Sequence, residues 1–531
     1  MRENAMRKLT GKRIGAVLLA LSMLLVCGGC GKGTVDTDGG IPLSNSGRDV
    51  ERAAAADKLF SLNCNMEYSF NPLIATNHSN QLVCDLVYEN MVEVDNNFEA
   101  IPGVLTSWLP NEDATYWTFD IAQGHTFHDG TPVTGKDIRY SLDRAINSDR
   151  FIGRFASYQG SGYDAEHFYV TLGIGNTQFV KLLNIPIIQY GSMEEKYPQG
   201  SGPYTYNEDF TELHAYEGYE DYKSLPLETI YLKQYSDAES ILTAFEDGII
   251  DVVTNDPSSY TNLGYASTNE IHTFATTNLH FVAFNQESDM GRYNSFRQAM
   301  NYAFDRAFFA RELMPGNAVA ANVPMNPSCA AYPTEYAATL DYNLDTCKVV
   351  LENAGLKDYD EDGWLEFTAG STQDVEIVFI VCSDSSAKTG VVRRFAQDME
   401  TIGLKVNVQE LTWANYLLAL EEGTFDMYYG EVKLRADFDI TELLEEDSSL
   451  NYSRAADPSF ESYVNYYLGC AEVQRKSAYE DLCRYLAESG SLIAIGFEKQ
   501  QIIVHRGVVK GIDANIGNPL YNFKNWEIDL G

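Results

Sequence analysis

Basic residues are scarce in this sequence: 38 Lys and Arg stand against 76 Asp and Glu, a formal net charge of −38. Such a surface repels phosphate backbones, which excludes a nucleic-acid partner. It also offers no polybasic patch to anionic lipid, so attachment to a membrane needs another device. Catalytic signatures are missing as well. The chain has no H-E-x-x-H, no G-x-S-x-G, no phosphate loop and no dinucleotide fingerprint in strand–helix context. Its eight His are scattered, and beyond Cys30 no C-x-x-C pair marks a zinc or redox centre. The sequence therefore reads as a non-enzyme without cofactor or metal, a hydrolase with dispersed carboxylates being the weaker alternative.

Long apolar runs are also lacking. Residues 14–26 are apolar but too few for a span of ~20 residues. They follow Arg2, Arg7, Lys8, Lys12 and Arg13, as in a secretion signal, and end in Val26-Cys27-Gly28-Gly29-Cys30. Small residues before Cys30 resemble a lipobox, which implies cleavage after residue 29 and lipid on the Cys30 sulfur. Loss of residues 1–29 removes five basic side chains and Glu3, taking the charge from −38 to about −42. Residues 30–56 are rich in Gly, Ser, Asp and Thr, the composition of a flexible tether. Seven cysteines remain: Cys64, Cys84, Cys329, Cys347, Cys382, Cys470 and Cys483. An odd, widely spaced set reads as small buried hydrophobes, although a Cys64–Cys84 bridge is conceivable.

What is present is organised around residues 117–146. Trp117, Phe119 and Ile121 alternate with polar residues, the period of a strand with one buried face. Asp129-Gly130 supplies a turn, because Gly accepts positive φ and Asp bonds to nearby backbone. Thr134 three residues before Asp137 predicts a capping box, and Ile138, Leu142 and Ala145 give the following helix one apolar face. His125, His128 and Asp129 lack a third ligand at metal spacing and read as turn residues.

The same stretch carries a resemblance. G-x-x-F-H-D-G-x-P-V-T-x-x-D-I, from Gly124 to Ile138, is similar to the signature of bacterial extracellular solute-binding proteins of the peptide/nickel class, solute-binding family five. Asn71-Pro72-Leu73, Tyr88-Glu89, Ser201-Gly202-Pro203-Tyr204, Gly248 to Asp251, and Arg297 to Arg306 resemble further family segments, with Met91 and Ile249 departing from the pattern. Arg297 and Asp305 read as packing and capping residues. The resemblance implies an α/β, two-lobe periplasmic-binding-protein-like fold of type II, in the large oligopeptide-binding class, with an extra subdomain. Lobe I would cover 57–280 with an insertion at about 91–190, lobe II 281–498, and 499–531 would return to lobe I. Crossings near 276–286 and 492–506 would form the hinge.

Lobe II is legible on its own terms. A strand at 375–381, a helix at 388–402 with Val391, Val392, Phe395, Met399 and Ile402 inward, and a strand at 404–408 make a βαβ unit, hence parallel strands. Ligands of open α/β sheets bind beyond the carboxyl ends of strands, which directs attention to Tyr428, Tyr429 and Glu431 and the loop after them. In peptide-binding members of the resembled family an Asp in an "A-D-[YF]" segment receives the ligand's ammonium. Ala436-Asp437-Phe438 matches, but three extra residues after Gly430 leave Asp437 and Asp439 as alternatives. Arg435 would hold a ligand carboxylate or pair with a neighbouring Asp. By analogy Asn77, His78 and Ser79 face the cleft from lobe I. Asp358, Asp360, Asp362 and Gly363 imitate a calcium loop, but Ala369 occupies its twelfth position, so a solvated turn is expected.

The expected function is capture of a short peptide by a monomer, lipid-anchored on the extracellular or periplasmic side, for an ABC permease and ATPase. A metal chelate or other small solute, and a sensor that does not transport, stand as alternatives.

Overall fold

The computed structural model describes residues 58–255, 269–369, 371 and 373–531. The expected signal, Cys30 and the tether lie outside the described residues.

Two long antiparallel strands, Asn269–Phe284 and Leu492–His505, run through the middle of an eleven-stranded sheet. At ~3.3 Å per residue each spans roughly 45–50 Å, enough to serve two cores in succession. On one side the sheet continues through Met427–Lys433, Glu376–Cys382 and Lys405–Leu411. On the other it continues through Val252–Asn255, Ser61–Cys64, Thr229–Gln234 and two short strands. The first core gathers residues from Phe60 to Phe274 and takes Ile502 to Trp526 from the end of the chain. Two further cores cover opposite faces of the other half, one around Phe379 and Phe395, the other around Tyr428 and Tyr467.

The long pair changes register where the two halves meet, between Ala275 and Leu279 and again between His280 and Phe281. A bulge leaves main-chain groups without ladder partners, and buried threonines take them up. Thr276 Oγ1 donates to the Glu498 carbonyl and Thr277 Oγ1 to that of Leu434, both at 2.7 Å. Asn326 Nδ2 donates to the Thr276 carbonyl at 3.0 Å. Irregularity here is hydrogen-bonded, not frayed.

Several sequence expectations hold in detail. Trp117, Phe119 and Ile121 are buried on one face of the Tyr116–Ile121 strand, part of a separate four-stranded antiparallel sheet. The Asp137 carboxylate accepts from Thr134 N at 3.0 Å and Thr134 Oγ1 at 2.6 Å, so the capping box forms. Glu376–Cys382, the helix Ser386–Thr401 and Lys405–Leu411 form the parallel βαβ unit. Asp305 caps Arg306–Phe308 by accepting from Phe308 N at 3.0 Å, and Arg297 donates to the Ser489 and Gly291 carbonyls.

All seven cysteines are free and six are buried, in keeping with their reading as small hydrophobes; the conceivable Cys64–Cys84 bridge does not form, and Cys84 Sγ turns to the Phe70 carbonyl at 3.2 Å. The helix Asn294–Met300 stops short of Ala303 and Phe304, which still share one core with Phe296, Ala299 and Met300. Asn301 Nδ2 there reaches the Ala487 carbonyl, and buried Arg306 binds the Ala494 and Leu340 carbonyls. Tertiary partners for polar groups outweigh helical periodicity at that point.

Candidate functional site

The loop after Met427–Lys433 is held tightly at its root. A Cβ on Gly430 would lie 2.4 Å from the Phe281 ring, so only glycine allows the close approach. Leu434 exchanges hydrogen bonds with Thr277 in both directions. The loop turns at Phe438, a non-glycine residue with φ of 54°. That conformation costs about 1–3 kcal/mol. Burial of the Phe438 ring, edge-on to Phe98 at 5.1 Å and Phe497 at 5.9 Å, offsets it by a similar amount.

This turn gathers Arg435, Asp437 and Asp439. Arg435 binds the Asp439 carboxylate directly and donates to the Gly153 carbonyl at 2.5 Å, but its Nε stays 3.9 Å from Asp437. Asp439 also accepts from Thr441 N at 2.8 Å. Asp439 is thus neutralised locally, and Arg435 takes the reading of a pair with a nearby Asp. Asp437 differs. It is 1% exposed and accepts from Asn176 Nδ2 at 3.0 Å and Asp439 N at 3.3 Å. Burial raises its pKa above the usual carboxylate range, and Arg435 opposes that rise.

Asn176 belongs to the first half of the chain, and more contacts follow the same seam. Thr177 N donates to the Leu468 carbonyl at 2.8 Å, and Thr177 Oγ1 to that of Cys470 at 2.8 Å. Asn176 and Thr177 lie in no motif, so sequence reasoning missed them.

It also missed three cations. The Arg150 and Arg154 guanidinium carbons lie 5.3 and 4.9 Å from the centre of the same Phe151 ring. Lys433, at the end of its strand, is pushed down to about 8 by desolvation and by Arg154 and Arg150. Arg154 is pushed down to about 10 by burial, then by Arg150 and Arg435. Arg150 and Lys433 remain reachable by water. Among the described residues, none of the three has a carboxylate within 4.0 Å. In a chain of charge −38, unpaired cations so close together are unusual. The Arg150-x-x-x-Arg154 spacing was the available signal.

The remaining candidates are placed elsewhere. Tyr428 is a core residue, edge-on to Phe281 and Phe425. The Tyr429 hydroxyl meets His280 Nδ1 at 2.9 Å, while His280 Nε2 meets Glu498 at 2.6 Å, all three buried. Glu431 pairs with Lys388 at 2.7 Å. Both rings and Glu431 are thus already engaged by neighbouring protein groups. Asn77 caps the helix His78–Val87 by accepting from Asn80 N, His78 is its exposed first residue, and Ser79 accepts from Asn63 Nδ2 at 2.8 Å. His125 pairs with Glu89, and His128 Nε2 donates to the Gly202 carbonyl at 3.0 Å, tying the signature turn to Ser201-Gly202-Pro203.

A sheet shared by two lobes through two long strands, with polar groups of both lobes meeting at a seam, defines a two-lobe solute-binding architecture. The family model for bacterial extracellular solute-binding proteins, family 5 (middle), matches residues 99–435, and the chain belongs to that family. It is 19% identical to the oligopeptide-binding protein AppA of Bacillus subtilis over 496 residues, 86% of this chain and 89% of that protein. Among solved structures it resembles the ABC transporter substrate-binding protein CtaP of Listeria monocytogenes, with a TM-score of 0.70 and 17% identity. That match covers 88% of this chain and 99% of CtaP. NikZ of Campylobacter jejuni, solved with Ni(L-His), gives a TM-score of 0.64 at 18% identity, covering 88% and 99%. Family 5 proteins are extracytoplasmic, and among the described residues no helix is long and apolar enough to cross a membrane.

Proposed function

We propose that this protein captures a short peptide between its lobes and delivers it to an ABC importer, with Asp437 receiving the ligand's ammonium. One observation carries this reading. Asp437 is a buried carboxylate whose nearest cation is committed to Asp439, and its close partner from the other lobe is a neutral amide. A ligand ammonium displacing Asn176 would supply the missing charge in a site where Coulomb attraction is strong. Asp439, already paired with Arg435, is the less suited of the two to receive an ammonium. AppA, named for oligopeptides, supports the ligand class.

Arg150, Arg154 and Lys433 fit the other end of such a ligand, a carboxylate. They also support a second reading, a carboxylate-bearing small solute such as a metal chelate, which the likeness to NikZ with Ni(L-His) keeps in view. The register breaks at Ala275–Leu279 and His280–Phe281 are the proposed hinge, with lobes bounded near residues 280 and 498. Cys30 is the proposed lipid attachment, tested by incorporation of labelled palmitate into wild type and its loss in Cys30→Ser.

Calorimetry with a tripeptide tests the assignment. Asp437→Asn should lose ~2–5 kcal/mol of affinity for the free-amine peptide, as when one partner of a buried charge pair is removed. An acetylated peptide should bind wild type weakly and barely distinguish the two proteins. Equal affinity of wild type and variant for the free-amine peptide refutes the role of Asp437. Steady release of cleavage products would refute the binding-protein reading.

A further inference from the structure

We propose that the loop from Asp358 to Glu366, on the second half of the chain, binds one calcium ion. It joins the helix Leu344–Asn353 to the strand Glu376–Cys382. Asp358, Asp360, Asp362 and Glu366 each place a carboxylate oxygen within 4.8 Å of the other three. Among the described residues, none of the four has a Lys, Arg or His within 4.0 Å. The neighbouring cation, Lys405, is engaged by Asp374 and lies 4.7 Å from the Trp364 ring centre.

Glu366 carries the inference beyond an acidic turn. It is 0% exposed, its Oε2 accepts from Tyr359 N at 2.7 Å, and its Oε1 is buried without a hydrogen-bond partner. A buried carboxylate oxygen left unsatisfied is costly, and three more carboxylates beside it add repulsion. One hard dication answers both, since calcium takes six to eight oxygen ligands and tolerates irregular geometry.

Sequence spacing alone does not show this arrangement. The twelfth position, where a bidentate Glu is the rule, is Ala369. Here the chain turns back sooner. Glu361 and Gly363 have φ of 67° and 99°, and Lys357 and Glu366 exchange main-chain hydrogen bonds at 3.1 and 2.8 Å. That pairing folds the ninth residue back across the first, third and fifth. Leu356 and Leu365, flanking the loop's ends, are buried in the core around Phe379, and Leu365 N donates to the Gly403 carbonyl at 2.8 Å. Calcium would therefore stabilise this edge of the lobe, independently of ligand capture at Asp437.

The test uses the full chain stripped with chelator. Calcium at about 2 mM, above the Kd of ~0.1–1 mM of many extracellular calcium modules, should raise the unfolding midpoint by at least about 1 °C. Magnesium at equal ionic strength should give less. Terbium should luminesce through Trp364, with calcium reversing the signal. Asp360→Asn, an exposed change that leaves the core intact, should lose both responses, whereas Trp364→Phe should lose the luminescence and keep the calcium shift. No calcium shift in wild type overturns the proposal. So does an equal shift in Asp360→Asn or with magnesium, which would reduce the effect to screening of an acidic chain.

Discussion

Asn176 of one lobe donates its side-chain amide to Asp437 of the other at 3.0 Å, closing the seam between them with a neutral donor on a buried carboxylate. Asn176→Ala removes that donor and leaves the carboxylate under-satisfied when the lobes are shut. The closed form should weaken by about 1–3 kcal/mol. Small-angle scattering of the ligand-free variant should show a larger radius of gyration than wild type, with the difference abolished by saturating peptide. An unchanged radius would mean the contact does not govern closure.

Asp439→Asn should behave unlike Asp437→Asn. It weakens the ion pair with Arg435, whose side chain is 15% exposed, so the main effect is on stability, roughly 1–3 kcal/mol after allowance for solvent screening. Free-amine and acetylated peptides should lose affinity by the same factor. Selective loss for the free-amine peptide in Asp439→Asn would reverse the assignment of the two aspartates.

The Lys433 ammonium is pushed down to about 8, so it loses its charge near that pH in the empty protein. A bound carboxylate favours the charged form and raises that value. Affinity for a carboxylate-bearing peptide should therefore fall as pH rises through 8, with net proton uptake on binding near pH 8. A carboxy-terminal amide should show neither effect. Calorimetry in buffers of different ionisation enthalpy checks both statements, and pH-independent affinity with no proton uptake would remove Lys433 from the ligand's path.

His128 is pushed down to about 4, chiefly by burial, with its hydrogen bond to Gly202 acting the other way. Between about 4 and the ordinary value near 6.5 the unfolded chain binds the extra proton and the folded one does not. This contribution to stability is complete above pH 6.5 and is lost as pH falls towards 4. His128→Gln, which keeps a donor for the Gly202 carbonyl, should flatten the acid side of the unfolding profile. A profile as steep as that of wild type would assign the acid sensitivity to other groups.

Local signals with a mechanism were legible in the sequence. The Thr134–Asp137 box, the Asp129-Gly130 turn and the βαβ unit follow from hydrogen bonding and periodicity within a few residues. Asp437 was reachable from the Ala436-Asp437-Phe438 segment, but not its burial or its bond to Asn176, 261 positions away. Tyr428 and Tyr429 illustrate the converse. Strand alternation says that they face opposite ways, and only the stacked layers show that both ways lead into packed protein. Arg150, Arg154 and Lys433 were each an ordinary basic residue until folding brought them within electrostatic reach of one another. Glu366 escaped notice because a linear count of loop positions does not register an early turn.

The central claim is that the cleft holds a short peptide by its charged amino terminus. Native mass spectrometry of protein purified from its own secretory compartment without refolding tests this most directly, with released ligand sequenced by fragmentation. Short peptides with unblocked amino termini are expected, depleted in Asp437→Asn prepared in the same way. Recovery of a sugar, of a metal chelate without a free amine, or of the same peptides at the same occupancy in Asp437→Asn would contradict it.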